Sequence, residues 1–257
     1  MGPETAHSPN ADDINALYWV MVVVVGAILV AVNAGLVGLV VRYRRGRGSE
    51  PRRVRSRGPA QLVTAATFTV AAVAIFAVGV IFTERASDVE PSGPDGLQAA
   101  ALTTAQRDIE PPTGENEPLT VKASGQQWIW RYEYEDGTFS YFELVVPVDT
   151  AVVVEVESTD VVHRWWVPGL SAKVDAVPGS VNRTWFKADR EGSFDGASYA
   201  FSGAGYATMR TRVRVESVTG YESWLEQQAA DIDAAQGAVQ EAIAAGEGAA
   251  AGEEGTP

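Results

Sequence analysis

The side chains available for chemistry are few. The chain contains two histidines, His7 and His163, and no cysteine. Without cysteine there are no disulfides, no thiolate metal sites and no cysteine nucleophiles. One imidazole and one thioether, such as His163 and Met209, make a poor copper site when no thiolate joins them. Ser198 and Ser202 have no partner base, since the other histidine lies near the N-terminus, so a serine hydrolase is not supported.

Charge is distributed unevenly along the 257 residues. The net charge is −13, which argues against a nucleic-acid partner because phosphate binding needs clustered Lys and Arg. Eight arginines lie within residues 42–57, together with one acid, Glu50. The rest of the chain is strongly acidic and contains the three lysines, Lys122, Lys173 and Lys187. An acidic, lysine-poor surface resists salting-out and predicts a halophilic source.

Two uncharged apolar runs precede the acidic part of the chain. They are Leu17–Val41 and Leu62–Phe82, and each is as long as the roughly 20 residues that a helix needs to cross the hydrocarbon core. The first run is too long for a cleaved signal, and its leader is acidic, with Asp12 and Asp13, rather than basic. Residues 17–82 are therefore predicted to form a transmembrane hairpin, multi-pass with two spans in the cell membrane.

The arginine-rich loop predicts the orientation of this hairpin. Short loops rich in Lys and Arg remain on the cytoplasmic side of a membrane, which places loop 42–57 in the cytoplasm. The N-terminal leader, residues 1–16, and everything after Glu84 are then expected outside.

The external part is predicted to be an all-β domain. Residues 83–118 are rich in Pro, Gly, Asp and Glu and indicate a linker. Segments 152–157 and 212–216 are β-branched and alternate apolar and charged residues, which favours strands. Turn signals at short intervals predict a β-sandwich over residues 119–219. Residues 220–257 are predicted as a helix-permissive segment, 221–245, followed by an acidic disordered tail from Gly246.

Several motifs, in order and at matching spacing, resemble subunit II of cytochrome c oxidase and quinol oxidase, the haem-copper terminal oxidases. These are the aromatic segment 125–134, the segment 160–168 around His163, segment 172–179, and the hairpin segment 41–45. The resemblance covers about residues 14–226. It implies a two-helix transmembrane hairpin followed by a cupredoxin-like Greek-key sandwich.

The resemblance also implies a degenerate binuclear copper centre (CuA). Copper-bearing members supply two cysteines, a glutamate carbonyl, two histidines and a methionine to this centre. The matching positions here are His163, Ser198, Ala200, Ser202, Tyr206 and Met209. Only the first and the last keep the family's ligand type. Because a serine hydroxyl cannot replace a bridging thiolate, no cofactor is expected in this chain.

Two further positions match functional residues of the family. Trp128 matches the tryptophan that accepts electrons from cytochrome c, but without copper behind it a packed aromatic side chain is the preferred interpretation. Asp175 matches a carboxylate that helps to hold magnesium near the subunit interface. A solvated loop acid is an equally open interpretation of that residue.

The loop motif Ser202-Gly203-x-Gly205-Tyr206 resembles the quinol-oxidase branch, although His163 departs from it. The leading hypothesis is a non-catalytic subunit of a proton-translocating terminal oxidase of the aerobic respiratory chain. Haem and the oxygen-binding copper (CuB) would lie in its partner, catalytic subunit I. Other expected partners are membrane lipid and, through the complex, quinol or a small electron-carrier protein. The alternatives are a cytochrome c oxidase subunit II that still binds copper and a stand-alone membrane-anchored cupredoxin-like binding module.

Overall fold

The structure is a computed structural model that describes residues 3–44, 58–97 and 118–253. The predicted basic loop lies outside the described residues over 45–57, as do linker residues 98–117 and tail residues 254–257. The chain divides into two units. One contains residues 12–88, and the other combines residues 4–11 with everything from Val89 onward.

The first unit contains two long apolar helices. Helix α1 spans Pro9–Arg44 and helix α2 spans Pro59–Ser87, so both predicted runs lie inside helices. Both are long and apolar enough to cross a membrane. Their few polar side chains bond within the helix: the Asn33 amide donates to the Leu29 carbonyl at 2.7 Å, and Thr67 donates to the Val63 carbonyl at 2.9 Å. Such bonds lower the cost of placing these groups in lipid.

In its described residues, the second unit is built around ten strands. They are β1 (Leu119–Gln126), β2 (Ile129–Tyr134), β3 (Phe139–Tyr141), β4 (Glu143–Pro147), β5 (Ala151–Ser158), β6 (His163–Trp166), β7 (Val174–Ala176), β8 (Asn182–Lys187), β9 (Gly192–Ser198) and β10 (Arg210–Glu216). One sheet has the order β3-β2-β1-β5-β8 and the other β4-β10-β9-β6-β7. Strands β1 and β5 are parallel, as are β4 and β10, and the other pairs are antiparallel.

The core lies between the two sheets. The alternation that predicts strands in 152–157 and 212–216 is present in β5 and β10, where every second side chain is buried. The largest buried side chains include Trp130, Tyr132 and Trp165. The Trp165 indole N–H donates to the Tyr132 hydroxyl at 2.9 Å, and that hydroxyl also bonds Thr211 Oγ1. The polar atoms of Tyr132 and Trp165 are thereby paired inside an apolar core, whereas the buried Trp130 indole N–H has no hydrogen-bond partner among the described residues.

The predicted leader and the predicted linker both contribute hydrogen bonds to the β-domain. In the leader, Ser8 and Asn10 are buried, and the Asn10 amide donates to the Trp185 carbonyl at 2.6 Å. The His7 N–H donates to the Gly169 carbonyl at 2.8 Å. At the start of the predicted linker, the Leu97 N–H donates to Thr150 Oγ1 at 2.8 Å. These segments satisfy backbone groups at the rim of the sandwich.

A third helix, α3, spans Val218–Glu253. It contains the predicted helix-permissive segment and continues through residues 246–253, where a disordered tail is predicted. This stretch has three alanines, which have the highest helix propensity, and three glycines, which have a low one, so its composition alone does not account for the continuation.

Candidate functional site

Three connections meet at one end of the sandwich, and these connections, with the strand residues that border them, contain the six predicted copper positions and Trp128. They are the β1–β2 turn, the β5–β6 loop and the β9–β10 loop. The Thr159 N–H donates to the Gly125 carbonyl at 3.1 Å, which joins the first two connections. Trp165 of β6 pairs with Ser198 of β9, which places the third beside them. The register of the two sheets therefore gathers positions that are far apart in the sequence.

His163 opens strand β6 and is fully buried, with 0% of its surface exposed. Its Nε2 lies 2.9 Å from Asp160 Oδ1, and its ring meets Trp130 edge-on at 6.0 Å between centroids. Its Nδ1 is buried and has no hydrogen-bond partner within the described part of the chain. Since a carboxylate only accepts hydrogen bonds, Nε2 carries a proton in this contact, and Nδ1 is the nitrogen that would have the free lone pair in a neutral ring.

Asp160 is a site residue that the motif analysis missed. Its carboxylate accepts the backbone N–H of Gln127 at 2.8 Å and of Val161 at 2.6 Å, in addition to the imidazole. Partial desolvation raises the pKa of Asp160, but the hydrogen bonds from His163, Val161 and Gln127 outweigh it and lower this pKa to about 2. Its position three residues before the histidine was the available signal, because aspartate commonly bonds the backbone of a turn.

The two serines at the cysteine positions are both nearly buried. Ser198 is 6% exposed, and its hydroxyl accepts the Arg164 N–H at 3.2 Å. Its own N–H donates to the Met209 carbonyl at 2.9 Å. Ser202 is 5% exposed, and its hydroxyl has no hydrogen-bond partner among residues that the structure describes. Both hydroxyls therefore lie where the loop packs inward.

Trp128 of the β1–β2 turn contacts the β9–β10 loop through a hydrogen bond and through its ring. Its indole N–H donates to the Ser202 carbonyl at 3.1 Å, and the Gln127 amide donates to the same carbonyl at 2.8 Å. The ring lies directly against Gly205, where a Cβ would come within 2.4 Å of Trp128 Cδ2. Glycine is required at this close approach. Gln127 is a second contributor that the motif analysis missed.

The remaining copper positions differ in exposure. Met209 is fully buried, Ala200 is half-buried and Tyr206 is exposed. Tyr206 lies in a short 3₁₀ turn and packs edge-on against the exposed Phe201 ring, with 5.2 Å between centroids. This exposed pair forms the tip of the loop.

The donor set of these positions does not fit a binuclear copper centre. It offers one imidazole nitrogen, one thioether and two serine hydroxyls, with a phenol at an exposed position. Two copper ions that share electron density need soft bridging thiolates, and no cysteine exists in the chain. Within the described segments, no group of three or more His, Cys, Asp or Glu side chains could hold a metal ion.

Asp175 lies beside these loops on β7 and pairs with Arg164 of β6. The guanidinium donates to both carboxylate oxygens, at 2.5 and 3.1 Å. This hydrogen bonding lowers the pKa of Asp175, and partial desolvation opposes it. The carboxylate predicted as a magnesium ligand or a solvated acid is thus engaged in an ion pair within its own sheet.

The β-domain matches a known family. A family model described as "Cytochrome C oxidase subunit II, periplasmic domain" matches residues 140–218. Subunit 2 of cytochrome c oxidase from Cereibacter sphaeroides is 28% identical over 267 residues, which cover 88% of this chain and 79% of that protein. This chain belongs to the cytochrome c oxidase subunit II family. The chain has two long apolar helices followed by a β-sandwich, so the predicted hairpin and cupredoxin-like fold class is confirmed.

Two other subunit II proteins match part of this chain. Cytochrome c oxidase subunit 2 of Alkalihalophilus pseudofirmus is 33% identical over 130 residues, covering 50% of this chain and 38% of that protein. The crystal structure of the periplasmic domain of Bradyrhizobium japonicum cytochrome oxidase subunit II is 34% identical. It aligns with a TM-score of 0.43 and covers 44% of this chain and 94% of its own. Family membership and the two long apolar helices identify a membrane protein.

Proposed function

We propose that this chain is a copper-free subunit II of a membrane-bound haem-copper terminal oxidase of the aerobic respiratory chain. It docks on catalytic subunit I, which holds the haems and CuB, and supports oxygen reduction coupled to proton translocation. Electrons enter the complex from membrane quinol, because the external domain has no centre to receive them from a soluble protein. Membrane lipid surrounds its two spans.

The observation that carries this proposal is the pair of oxygen atoms at positions 198 and 202. A serine hydroxyl has a far higher pKa than a thiol and is a hard ligand, so it does not bridge two copper ions as a thiolate does. The remaining donors, His163 Nδ1 and the Met209 thioether, cannot compensate for the loss of both bridges.

The hydrogen bonds of the β9–β10 loop also support the proposal. Trp128 and Gln127 hold the Ser202 carbonyl, and Ser198 is tied to Met209 and Arg164. These hydrogen bonds between protein groups hold the loop in a defined shape. A loop of defined shape can still cover the outer face of a partner subunit.

The predicted topology also has structural support. Residues 4–11 pack on the β-domain, so the leader and the domain lie on the same side of the membrane. An even number of spans must then lie between them, in agreement with two transmembrane helices. The eight arginines of 42–57 favour the cytoplasm for the connecting loop, which supports the proposal that both ends lie outside.

One observation favours a second candidate, a subunit II that retains copper. The buried Nδ1 of His163 has no partner among the described residues, and its ring is oriented by a carboxylate, as metal-binding histidines commonly are. Such a site would hold at most a single ion with Met209.

Copper loading of the full-length chain in detergent separates these candidates. After loading and desalting, we expect no stoichiometric copper by metal analysis. The matched control is the fourfold variant S198C/A200E/S202C/Y206H, which restores the family's ligand types and should take up two coppers and become purple. One copper per native chain would favour the second candidate, and two would refute the proposal.

Two assays on the native complex test the proposed partner subunit and the proposed electron donor. Purification in mild detergent should yield a haem-bearing, multi-span subunit together with this chain. Its absence would favour the stand-alone binding module. Oxygen uptake by the complex should be supported by quinol and not by reduced cytochrome c, and the reverse result would contradict the proposed electron donor.

A further inference from the structure

The first turns of α3 close one edge of the sandwich. Tyr221 is buried, and the Trp224 ring meets Tyr134 at 5.3 Å between centroids. One turn further on, the Gln228 amide donates to the Phe139 carbonyl at 3.0 Å. Strand β3 is the outermost strand of its sheet, so Gln228 occupies a carbonyl that would otherwise be open to strand pairing.

Beyond Gln228 the apolar side of α3 continues past the sheet, and the described part of the domain leaves much of it exposed. Leu225, Ile232 and Val239 recur at intervals of seven residues, and Ile243 follows one turn later. Such spacing forms a stripe on one side of a helix. Leu225 packs on the core, whereas Val239 and Ile243 are 55% and 49% exposed.

A groove begins where this stripe leaves the sheet. It has a volume of about 520 Å³ and is lined by Phe139 of β3 and by Ile232, Ala235 and Val239 of α3, with glutamines at its rim. We call the side of α3 from Ile232 to Ile243 the α3 stripe. The groove and the α3 stripe form one continuous apolar surface.

The length and position of this surface favour a helix as its occupant. From Ile232 to Ile243 the helix rises about 16 Å, or about three turns, which is too long for a small ligand. Strand addition at β3 is disfavoured because Gln228 already bonds the outward Phe139 carbonyl. A helix that lies along α3 buries the stripe by the seam packing of coiled coils.

Charge decides between the possible helices. The sequence of α3 contains seven acidic residues and no Lys, Arg or His. A second copy of α3 would bring like charges together along the seam, and an anionic lipid surface would repel the helix. A helix with basic residues beside its apolar side would be attracted to the acidic residues of α3 and not repelled by them.

We propose that the α3 stripe docks one amphipathic helix of another protein chain, whose apolar side is flanked by Lys or Arg. The partner helix inserts an apolar side chain into the groove beside Phe139 and covers Val239 and Ile243. This inference concerns neither copper nor the electron donor, so it stands or fails separately from the proposed function.

Site-specific photo-crosslinking in the native membrane tests the proposal. The photoreactive residue p-benzoylphenylalanine replaces Val239 in the full-length chain, and Ala234, on the opposite side of α3, is the matched control position. Crosslinked peptides are identified by mass spectrometry. We expect position 239 to capture one peptide with an amphipathic helical pattern and flanking Lys or Arg, at least about tenfold more efficiently than position 234.

Other capture patterns would overturn the proposal. These are crosslinking to a second copy of this chain, to lipid alone or to an acidic peptide, equal yields at both positions, and no crosslinking at position 239.

A second comparison tests the apolar contact itself. With the photoreactive residue at Ile243, the variants Val239→Glu and Ala234→Glu introduce the same charge on opposite sides of the helix. Glutamate is a good helix former, and circular dichroism should show equal helix content in both variants. We expect Val239→Glu to lower the crosslinking yield about tenfold, which corresponds to about 1.4 kcal/mol, and Ala234→Glu to leave it unchanged. Equal yields in the two variants would refute docking on the α3 stripe.

Discussion

Replacing Asp160 by asparagine tests how the site is held together. The carboxylate accepts the imidazole N–H of buried His163 and two backbone N–H groups, those of Gln127 and Val161. Asparagine keeps the size of the side chain but removes the negative charge. The substitution therefore isolates the charge-assisted part of these hydrogen bonds.

The pKa of Asp160 gives the expected loss of folding stability in Asp160→Asn. A pKa lowered from 3.8 to about 2 corresponds to about 2 kcal/mol of stabilisation of the folded state, since the side chain is only 25% exposed. Because the pKa is depressed on folding, this stabilisation is present above pH 4 and is lost as the pH falls toward 2. Asp160→Asn should thus be less stable than the native chain by about 2 kcal/mol at pH 7, with a difference that shrinks between pH 4 and pH 2.

Urea unfolding of the full-length chain in detergent measures this difference. Tryptophan fluorescence follows the β-domain, whose buried Trp130 and Trp165 report on core packing. Asp233→Asn, at an exposed position on α3, makes the same change of charge and should have little effect at any pH. A difference below about 0.5 kcal/mol at pH 7, or one that stays constant down to pH 2, would refute the argument that Asp160 holds the site through its charge.

Three further substitutions test other contacts by the same assay. Tyr132→Phe should destabilise the β-domain by about 2 kcal/mol, because it leaves the buried Trp165 indole N–H without its acceptor. Gly205→Ala should cost about 1–3 kcal/mol and shift the fluorescence of Trp128, since the added Cβ would lie 2.4 Å from the ring. Asn10→Ala should cost about 1–2 kcal/mol, because this buried amide joins the leader to a carbonyl of β8.

Controls for these substitutions are available in the same chain. Tyr141→Phe changes an exposed tyrosine and should be nearly neutral. Gly237→Ala adds a methyl group in open space on α3 and should stabilise that helix by up to about 1 kcal/mol. If Gly205→Ala did not destabilise the β-domain, as is expected of Gly237→Ala, the inference that the Trp128 ring packs against Gly205 would be wrong. An unchanged stability in Asn10→Ala would show that the leader adds nothing to the domain.

Much of the architecture could be predicted because it depends on local patterns. Apolar runs as long as Leu17–Val41 lead to helices, since lipid requires every backbone group to be bonded within its own segment. The alternation in 152–157 places Val152, Val154 and Val156 of β5 in the core, as a strand of period two must. The identities at positions 198 and 202 exclude bridging thiolates whatever the fold, because ligand chemistry belongs to the residue itself.

Other features depend on contacts between distant parts of the chain. Sequence patterns identified His163 but not the carboxylate of Asp160 that orients it, and Asp175 but not the guanidinium of Arg164 that engages it. The leader was expected only as an external segment, yet Asn10 is a buried part of the domain, through a hydrogen bond to a residue 175 positions away. The length of α3 was underestimated because composition was taken to indicate disorder.

The sequence by itself therefore determined the two spans, the sandwich and the chemical types of the donor atoms, all of which follow from residue identity and short-range periodicity. Only the tertiary structure decided which side chains meet, which nitrogen of His163 has the free lone pair, and which side of α3 is left uncovered. The physical reason is that strand pairing and side-chain direction join residues far apart in the chain, and no local pattern encodes those distances.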